Sequence, residues 1–235
     1  MAQPWKTIDN ISTEEGNLEL RQRGERDFLI MIGAQVLMNS MLNRSEVVLG
    51  RLGCDRLKES KLARVLVGGL GMGFTLKAVL DTLPATAGVI VAELNPTVYK
   101  WCRGPLALLT ESAVTDPRVT VEIDDVAHLI KRVAMDGSET HFDAIVLDLY
   151  RGPHAKTDHI DDPLYGSKAI ENMRTALKPG GVVAVWGENY DEGFCKRLQR
   201  AGFTVSTDRP GKGGLRHVVF LAHLGQSTKT SKHKP

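Results

Sequence analysis

From Arg64 to His223 the chain alternates short apolar runs with amphipathic stretches, and this constrains its fold more than any other feature. The runs are Arg64–Gly68, Gly88–Glu93, Val119–Ile123, Ala144–Leu149 and Val182–Trp186, each rich in Val, Ile and Leu. Near-continuous apolar runs of this length suit strands buried on both faces. The stretches between them, roughly 73–83, 96–111, 126–135, 166–177 and 190–201, have helical spacing. Strand and helix in alternation predict a parallel sheet covered on both sides. The last two runs, Thr204–Thr207 and His217–His223, are joined without a helix through Asp208-Arg209-Pro210-Gly211-Lys212-Gly213-Gly214. That junction predicts an antiparallel hairpin at the sheet edge.

Residues 1–50 have a different texture. Asn17–Arg21 alternates polar and apolar, and Phe28–Ile32 and Val36–Met38 are short apolar runs. Two or three short strands are expected there, forming a small β-rich appendage, with a helix over 46–62. The division read from the sequence is 1–50 as appendage, 51–225 as nucleoside-binding domain and 226–235 as a disordered basic tail. Composition is that of an ordinary folded domain, with 42% hydrophobic and 25% charged residues and a net charge of +2. Nothing in that balance points to nucleic acid or to an anionic membrane. No apolar run reaches the ~20 residues of a membrane-spanning helix. Cys54, Cys102 and Cys195 are odd in number and widely spaced. They predict neither a disulfide framework nor a metal site, and the expected setting is cytoplasmic.

Four places carry chemistry. Val65–Thr75 runs from a buried strand through Gly68, Gly69, Gly71 and Gly73 into a helix. Glycines let backbone approach a ligand, and the helix N-terminus offers free N–H groups. Such a turn serves NAD, FAD and S-adenosylmethionine alike. Glu93 ends the next strand about 20 residues on, where a carboxylate accepts hydrogen bonds from ribose hydroxyls. Asp124 and Asp125 end the third strand and could take the adenine amino group or cap the following helix. Asp148 ends the fourth strand, where ligands bind in open α/β sheets, and could bind or deprotonate an acceptor amine or pair with Arg151. Tyr150, Asp162, His154 and His159 follow on a loop placed to cover the site.

The order of these segments resembles a Rossmann-like class I methyltransferase fold, with a seven-stranded, mostly parallel sheet ending in an antiparallel hairpin. The glycine turn at 68–75, Glu93, Asp125, Phe142–Pro153, Leu164-Tyr165 and Leu177-Lys178-Pro179-Gly180-Gly181 resemble more narrowly the spermidine synthase-like branch of S-adenosylmethionine-dependent transferases. The resemblance implies that Gly69, Gly71, Gly73, Glu93, Asp124 and Asp125 bind the nucleoside. It implies that Asp148 acts on the attacking amine, with Tyr150 a second catalytic candidate from its place on the following loop, and that Glu46 and Glu188 line the acceptor pocket. A homodimer is implied by analogy only.

The sequence departs from that family at three places. Met72 stands where the family's turn carries an Asp for the donor amine. Arg151 stands where a second Asp holds the acceptor amine. Arg44-Ser45 replaces the Tyr-His before the family's glutamate. Lost carboxylates and gained arginines suit an anionic group on donor or acceptor. They lead to the expectation of intact S-adenosylmethionine and methyl transfer to a small-molecule acceptor, with no metal and Arg151 in the substrate site. Transfer of the aminocarboxypropyl arm stays open. So do aminopropyl transfer from decarboxylated S-adenosylmethionine to a polyamine and an inactive binding homologue.

Overall fold

The computed structural model describes residues 3–137, 140–211 and 217–226. The expected tail and part of the edge hairpin's turn lie outside the described residues. Seven strands form the large sheet: β5 (Arg64–Gly68), β6 (Gly88–Ala92), β7 (Val119–Glu122), β8 (Phe142–Leu147), β9 (Leu177–Gly187), β10 (Phe203–Asp208) and β11 (Val218–Leu224). Their order is β10-β11-β9-β8-β5-β6-β7. The five strands β5 to β9 run parallel, while β11 pairs antiparallel with both β9 and β10. The expected hairpin is therefore present, with its second strand inserted between the first and the parallel body.

Alternate residues of each strand feed opposite faces, as a period of two requires. Val65, Val67, Val89, Val91, Ala144, Val146, Val182 and Ala184 join one core cluster. Helices α1 (Arg44–Cys54), α2 (Phe74–Thr82) and α3 (Pro96–Arg103) supply the other side of it, through Leu49, Leu76, Val79 and Trp101. Leu66, Ile145, Leu147, Val183 and Val185 face a second cluster with α4 (Val126–Met135), α5 (Ser167–Ala176) and α6 (Glu192–Arg200).

The N-terminal part forms a separate four-stranded antiparallel sheet of β1 (Lys6–Thr13), β2 (Gly16–Arg23), β3 (Asp27–Ile32) and β4 (Gln35–Asn39). The sequence pattern showed only two or three of these. The unpredicted β1 is polar and mostly exposed, so it has no apolar alternation to read. It is tied to α3 by Trp101, whose Nε1 donates to Asp9 Oδ2 at 2.7 Å. Leu18, Leu20, Phe28 and Ile30 of the small sheet enter the first core cluster, so the two sheets share apolar packing.

Several element bounds differ from expectation for local reasons. The helix expected over 96–111 stops at Arg103, because Gly104 ends it and Pro105 disfavours a helical residue before it. Only short 3₁₀ turns at 107–109 and 113–115 follow. The helix expected over 46–62 is α1 plus one short turn. Leu177–Gly181, between the expected helix over 166–177 and the expected strand Val182–Trp186, is the start of β9. There Leu177 pairs with Phe142 ahead of a register shift, and Gly180 adopts a positive φ of 83°.

Candidate active site at the carboxyl ends of the strands

Parallel strands deliver their carboxyl ends to one edge, and the glycine turn sits there. Gly69, Gly71 and Gly73 have φ of 85°, 53° and 84°, conformations that side chains with a Cβ rarely adopt. A Cβ would meet backbone at Gly69 and the movable end of a side chain at Gly71. A Cβ on Gly69 would lie 2.2 Å from the Asp148 carbonyl oxygen, and one on Gly71 would lie 2.5 Å from Met38 Sδ. Met38 belongs to β4, so the small sheet packs over the turn. Gly73 caps α2 without any side chain, which leaves the first N–H groups of that helix available.

Glu93 follows β6 and is 8% exposed. Its Oε2 accepts from Leu70 N–H at 2.9 Å and its Oε1 from Asn95 N–H at 2.8 Å. Burial nevertheless raises its pKa above the usual range. The carboxylate thus braces the turn, taking backbone N–H groups of the glycine turn on one side and of Leu94 and Asn95 on the other. The backbone cradle and the free helix terminus fit an adenosine-type sulfonium donor.

Asp124 and Asp125 are used differently from each other. Asp125 caps α4, with Oδ1 accepting from Ala127 N–H at 2.8 Å. Asp124 Oδ1 accepts from Asp125 N–H at 2.8 Å, and its carboxylate lies 3.5 Å from Arg132 and 3.6 Å from His128. The capping use that the sequence left open is therefore realised at Asp125. Both residues stand beside Glu93, since Asp124 N–H donates to the Glu93 carbonyl at 3.2 Å.

Asp148 lies just past β8, with its N–H on the Gly68 carbonyl at 2.8 Å. Its Oδ2 is 2.5 Å from Thr75 Oγ1, in the first turn of α2. That hydroxyl is also 3.2 Å from the Glu46 carbonyl, in the first turn of α1. Asp148 is pushed up to about 7, by burial first and by the charge of Glu46 second, with Thr75 opposing. Glu46 is also raised, mainly by burial. The Glu46 charge therefore opposes ionisation of Asp148, while Thr75 ties the Asp148 carboxylate to the Glu46 backbone beside the glycine turn. No basic group is among the causes acting on Asp148.

The other candidates stand further out. Tyr150 is 40% exposed, and the Arg151 guanidinium lies 5.4 Å from its ring centroid. Arg151 is itself exposed, as is Glu188 after β9. His154 Nδ1 accepts from Lys156 N–H at 3.2 Å, and Asp162 Oδ1 accepts from Leu164 and Tyr165 N–H, so both serve the loop's own turns. His159 is 3.8 Å from Asp162. The loop is anchored by Tyr165 Oη donating to the Arg151 carbonyl at 2.7 Å, and by an ion pair of Asp158 with buried Arg197. Sequence reasoning missed Thr75, Ser45 and His217, which contact Asp148 or Glu46 directly or through one hydroxyl. A cavity of about 480 Å³ lies at the opposite end of the sheet, among Arg56, Asp143, Gly181 and His223. It includes none of the glycine turn, Glu93, Glu46 or Asp148.

Among the described residues no group of three or more His, Cys, Asp and Glu could hold a metal, and no helix is long and apolar enough to cross a membrane. All three cysteines are free and buried.

The Spermine/spermidine synthase domain model matches residues 51–194. Over 121 residues, 52% of the chain, the sequence is 31% identical to a polyamine aminopropyltransferase of Mycobacterium tuberculosis (strain H37Rv). Over 127 residues it is 29% identical to polyamine aminopropyltransferase 2 of Pseudomonas aeruginosa. The chain spans only 22% and 33% of the lengths of these two relatives. Spermidine synthase from Thermotoga maritima superposes with a TM-score of 0.72 at 18% identity, over 94% of this chain and 73% of that one. A probable spermidine synthase from Corynebacterium glutamicum gives 0.65 at 15% identity, over 93% and 80%. These two likenesses establish the fold.

The expectation of methyl transfer is overturned by the family match and by relatives named as aminopropyltransferases. It rested on Met72 and Arg151 turning the site towards anions. The Met72 side chain is instead fully buried in the core, and Arg151 is exposed beside Tyr150. The charge that acts on Asp148 beside the glycine turn is that of Glu46, a carboxylate, and the chain belongs to the spermine/spermidine synthase domain family.

Proposed function

We propose that the protein transfers an aminopropyl group from decarboxylated S-adenosylmethionine to a primary amine of a diamine or polyamine. The observation that carries this reading is the Glu46–Asp148 pair beside the glycine turn. A buried carboxylate made costlier to ionise by a neighbouring carboxylate is relieved by a cation between the two, and an alkylammonium is such a cation. The intact donor's carboxylate would meet the same pair as an anion with no basic partner, which disfavours it.

The donor supplies an electrophilic carbon activated by sulfonium. The glycine turn, the α2 N-terminus and Glu93 hold its nucleoside, and Asp124 and Asp125 stand at the adenine end. Glu46 binds the acceptor as its ammonium. Asp148 takes a proton from that ammonium, which frees the nitrogen lone pair. The nitrogen then forms a bond to the aminopropyl carbon as the carbon–sulfur bond breaks. Its electron pair stays on sulfur as the neutral thioether of 5′-methylthioadenosine. A base titrating near 7 is well matched to this task at neutral pH. Tyr150 and the loop anchored by Arg197 would exclude water.

The test is incubation with 1,4-diaminobutane or spermidine and either donor, followed by mass spectrometry. The expected products are an aminopropylated amine and 5′-methylthioadenosine, from the decarboxylated donor only. Methylated amine from the intact donor, or no product with any amine, would overturn the reading.

A further inference from the structure

A hydrogen-bonded chain from the residue before β11 ends on Glu46. His217 immediately precedes β11, and its Nδ1 lies 3.1 Å from Ser45 Oγ. Ser45 is 5% exposed, and its Oγ lies 2.6 Å from Glu46 Oε2. The His217 ring packs edge-on against Trp186, with centroids 5.0 Å apart and planes at 63°. Trp186 lies on β9, two residues before Glu188, so the imidazole is held by the floor of the acceptor side.

A serine hydroxyl has one hydrogen to give. The 2.6 Å contact has the length of a charge-assisted O–H···O⁻ bond, so Ser45 gives it to Glu46. Ser45 Oγ must then accept from His217, which requires a proton on Nδ1. A protonated Glu46 that donated to Ser45 would turn the serine hydrogen towards Nδ1, which must then carry none. The arrangement therefore ties the proton on His217 Nδ1 to the negative charge on Glu46, between the start of β11 and the first turn of α1. The groups facing Glu46 are Asp148 from the end of β8, Thr75 from α2, Ser45 from its own helix and His217 from just before β11.

We propose that His217 is a positioning residue for the acceptor amine, acting through Ser45 to keep the Glu46 carboxylate ionised and aimed beside Asp148. This rests on the acceptor being an amine, as argued above. Electrostatics agree in sign, since His217 and the Ser45 hydroxyl both lower the pKa of Glu46 against the effect of burial.

The test compares His217→Ala and His217→Asn, the second of which keeps an N–H donor near the Nδ1 position but cannot titrate. Three quantities are measured in the full chain: KM and kcat for 1,4-diaminobutane, calorimetric affinity for 5′-methylthioadenosine, and the carboxyl ¹³C titration of Glu46 in glutamate-labelled protein. His217→Ala is expected to raise the amine KM about tenfold, the loss of one charge-assisted bond. It should also move the Glu46 titration to higher pH, with nucleoside affinity unchanged as the check on folding. His217→Asn should recover most of the KM. An unmoved Glu46 titration in His217→Ala, or an Asn variant as impaired as Ala, would overturn the proposal. If the wild type uses no amine, the functional reading fails, while the ¹³C titration still decides the relay.

Discussion

Replacing Asp148 by Asn should stabilise the protein while stopping its chemistry. The carboxyl pKa rises from an ordinary 3.8 to about 7 in the folded chain. At about 1.4 kcal/mol per pH unit, this is a ceiling of about 4 kcal/mol on the cost of ionising it. Solvent screening of a half-buried group roughly halves that figure, to about 2 kcal/mol. The sign follows from proton binding. Below about pH 4 both states hold the proton and Asp148 contributes no penalty. Between about 4 and 7 the folded chain holds a proton that the unfolded chain has released, so wild-type stability falls as pH rises. Above 7 the penalty is complete. Asn has nearly the same shape, keeps an oxygen to accept from Thr75, and carries no charge. Urea unfolding at pH 8 should therefore show Asp148→Asn more stable by about 2 kcal/mol, with an unchanged m-value, and the gap should close by pH 4. Aminopropyl transfer should drop by a factor of about 10² to 10⁴. A variant no more stable than wild type at pH 8, or a gap independent of pH, would refute the reasoning.

Glu46→Gln removes the neighbouring charge that raises Asp148. Asp148 then loses its proton at lower pH, so the acid limb of the kcat/KM profile should move to lower pH while the amine KM rises about tenfold. Gly69→Ala places a Cβ 2.2 Å from the Asp148 carbonyl at a φ of 85°. The turn must shift, and thermal unfolding should show a loss of about 3 kcal/mol together with lost nucleoside binding. Glu93→Gln has one acceptor oxygen where Glu93 uses two on Leu70 and Asn95. Its amide must face one backbone N–H, and calorimetry should show affinity for 5′-methylthioadenosine falling at least tenfold.

The parts of the site legible in the sequence are those built by consecutive residues. The strand, glycine turn and helix at 64–82 form one local unit, and Glu93 and Asp148 are found by following a strand to its carboxyl end. Buried parallel strands announce themselves because both faces must be apolar. β1 does not, since it is largely exposed and its pairing with β2 comes from backbone bonds that any side chain permits. The relay through Ser45 joins residues 172 positions apart, and no local pattern marks such a contact. Met72 and Arg151 show a different gap. Their identities were plain, but the sequence did not say where their side chains lie, and an anionic substrate was inferred from two side chains that do not supply a cation to the cleft.

The central claim is that Glu46 and Asp148 together hold the acceptor amine beside the donor's reactive arm. A crystal structure with 5′-methylthioadenosine and 1,4-diaminobutane tests it most directly. One amine nitrogen should lie within about 3 Å of a carboxylate oxygen from each residue, with the adenosine against Glu93 and the glycine turn. A diamine bound elsewhere, or an amine whose contacts exclude both carboxylates, would contradict the account.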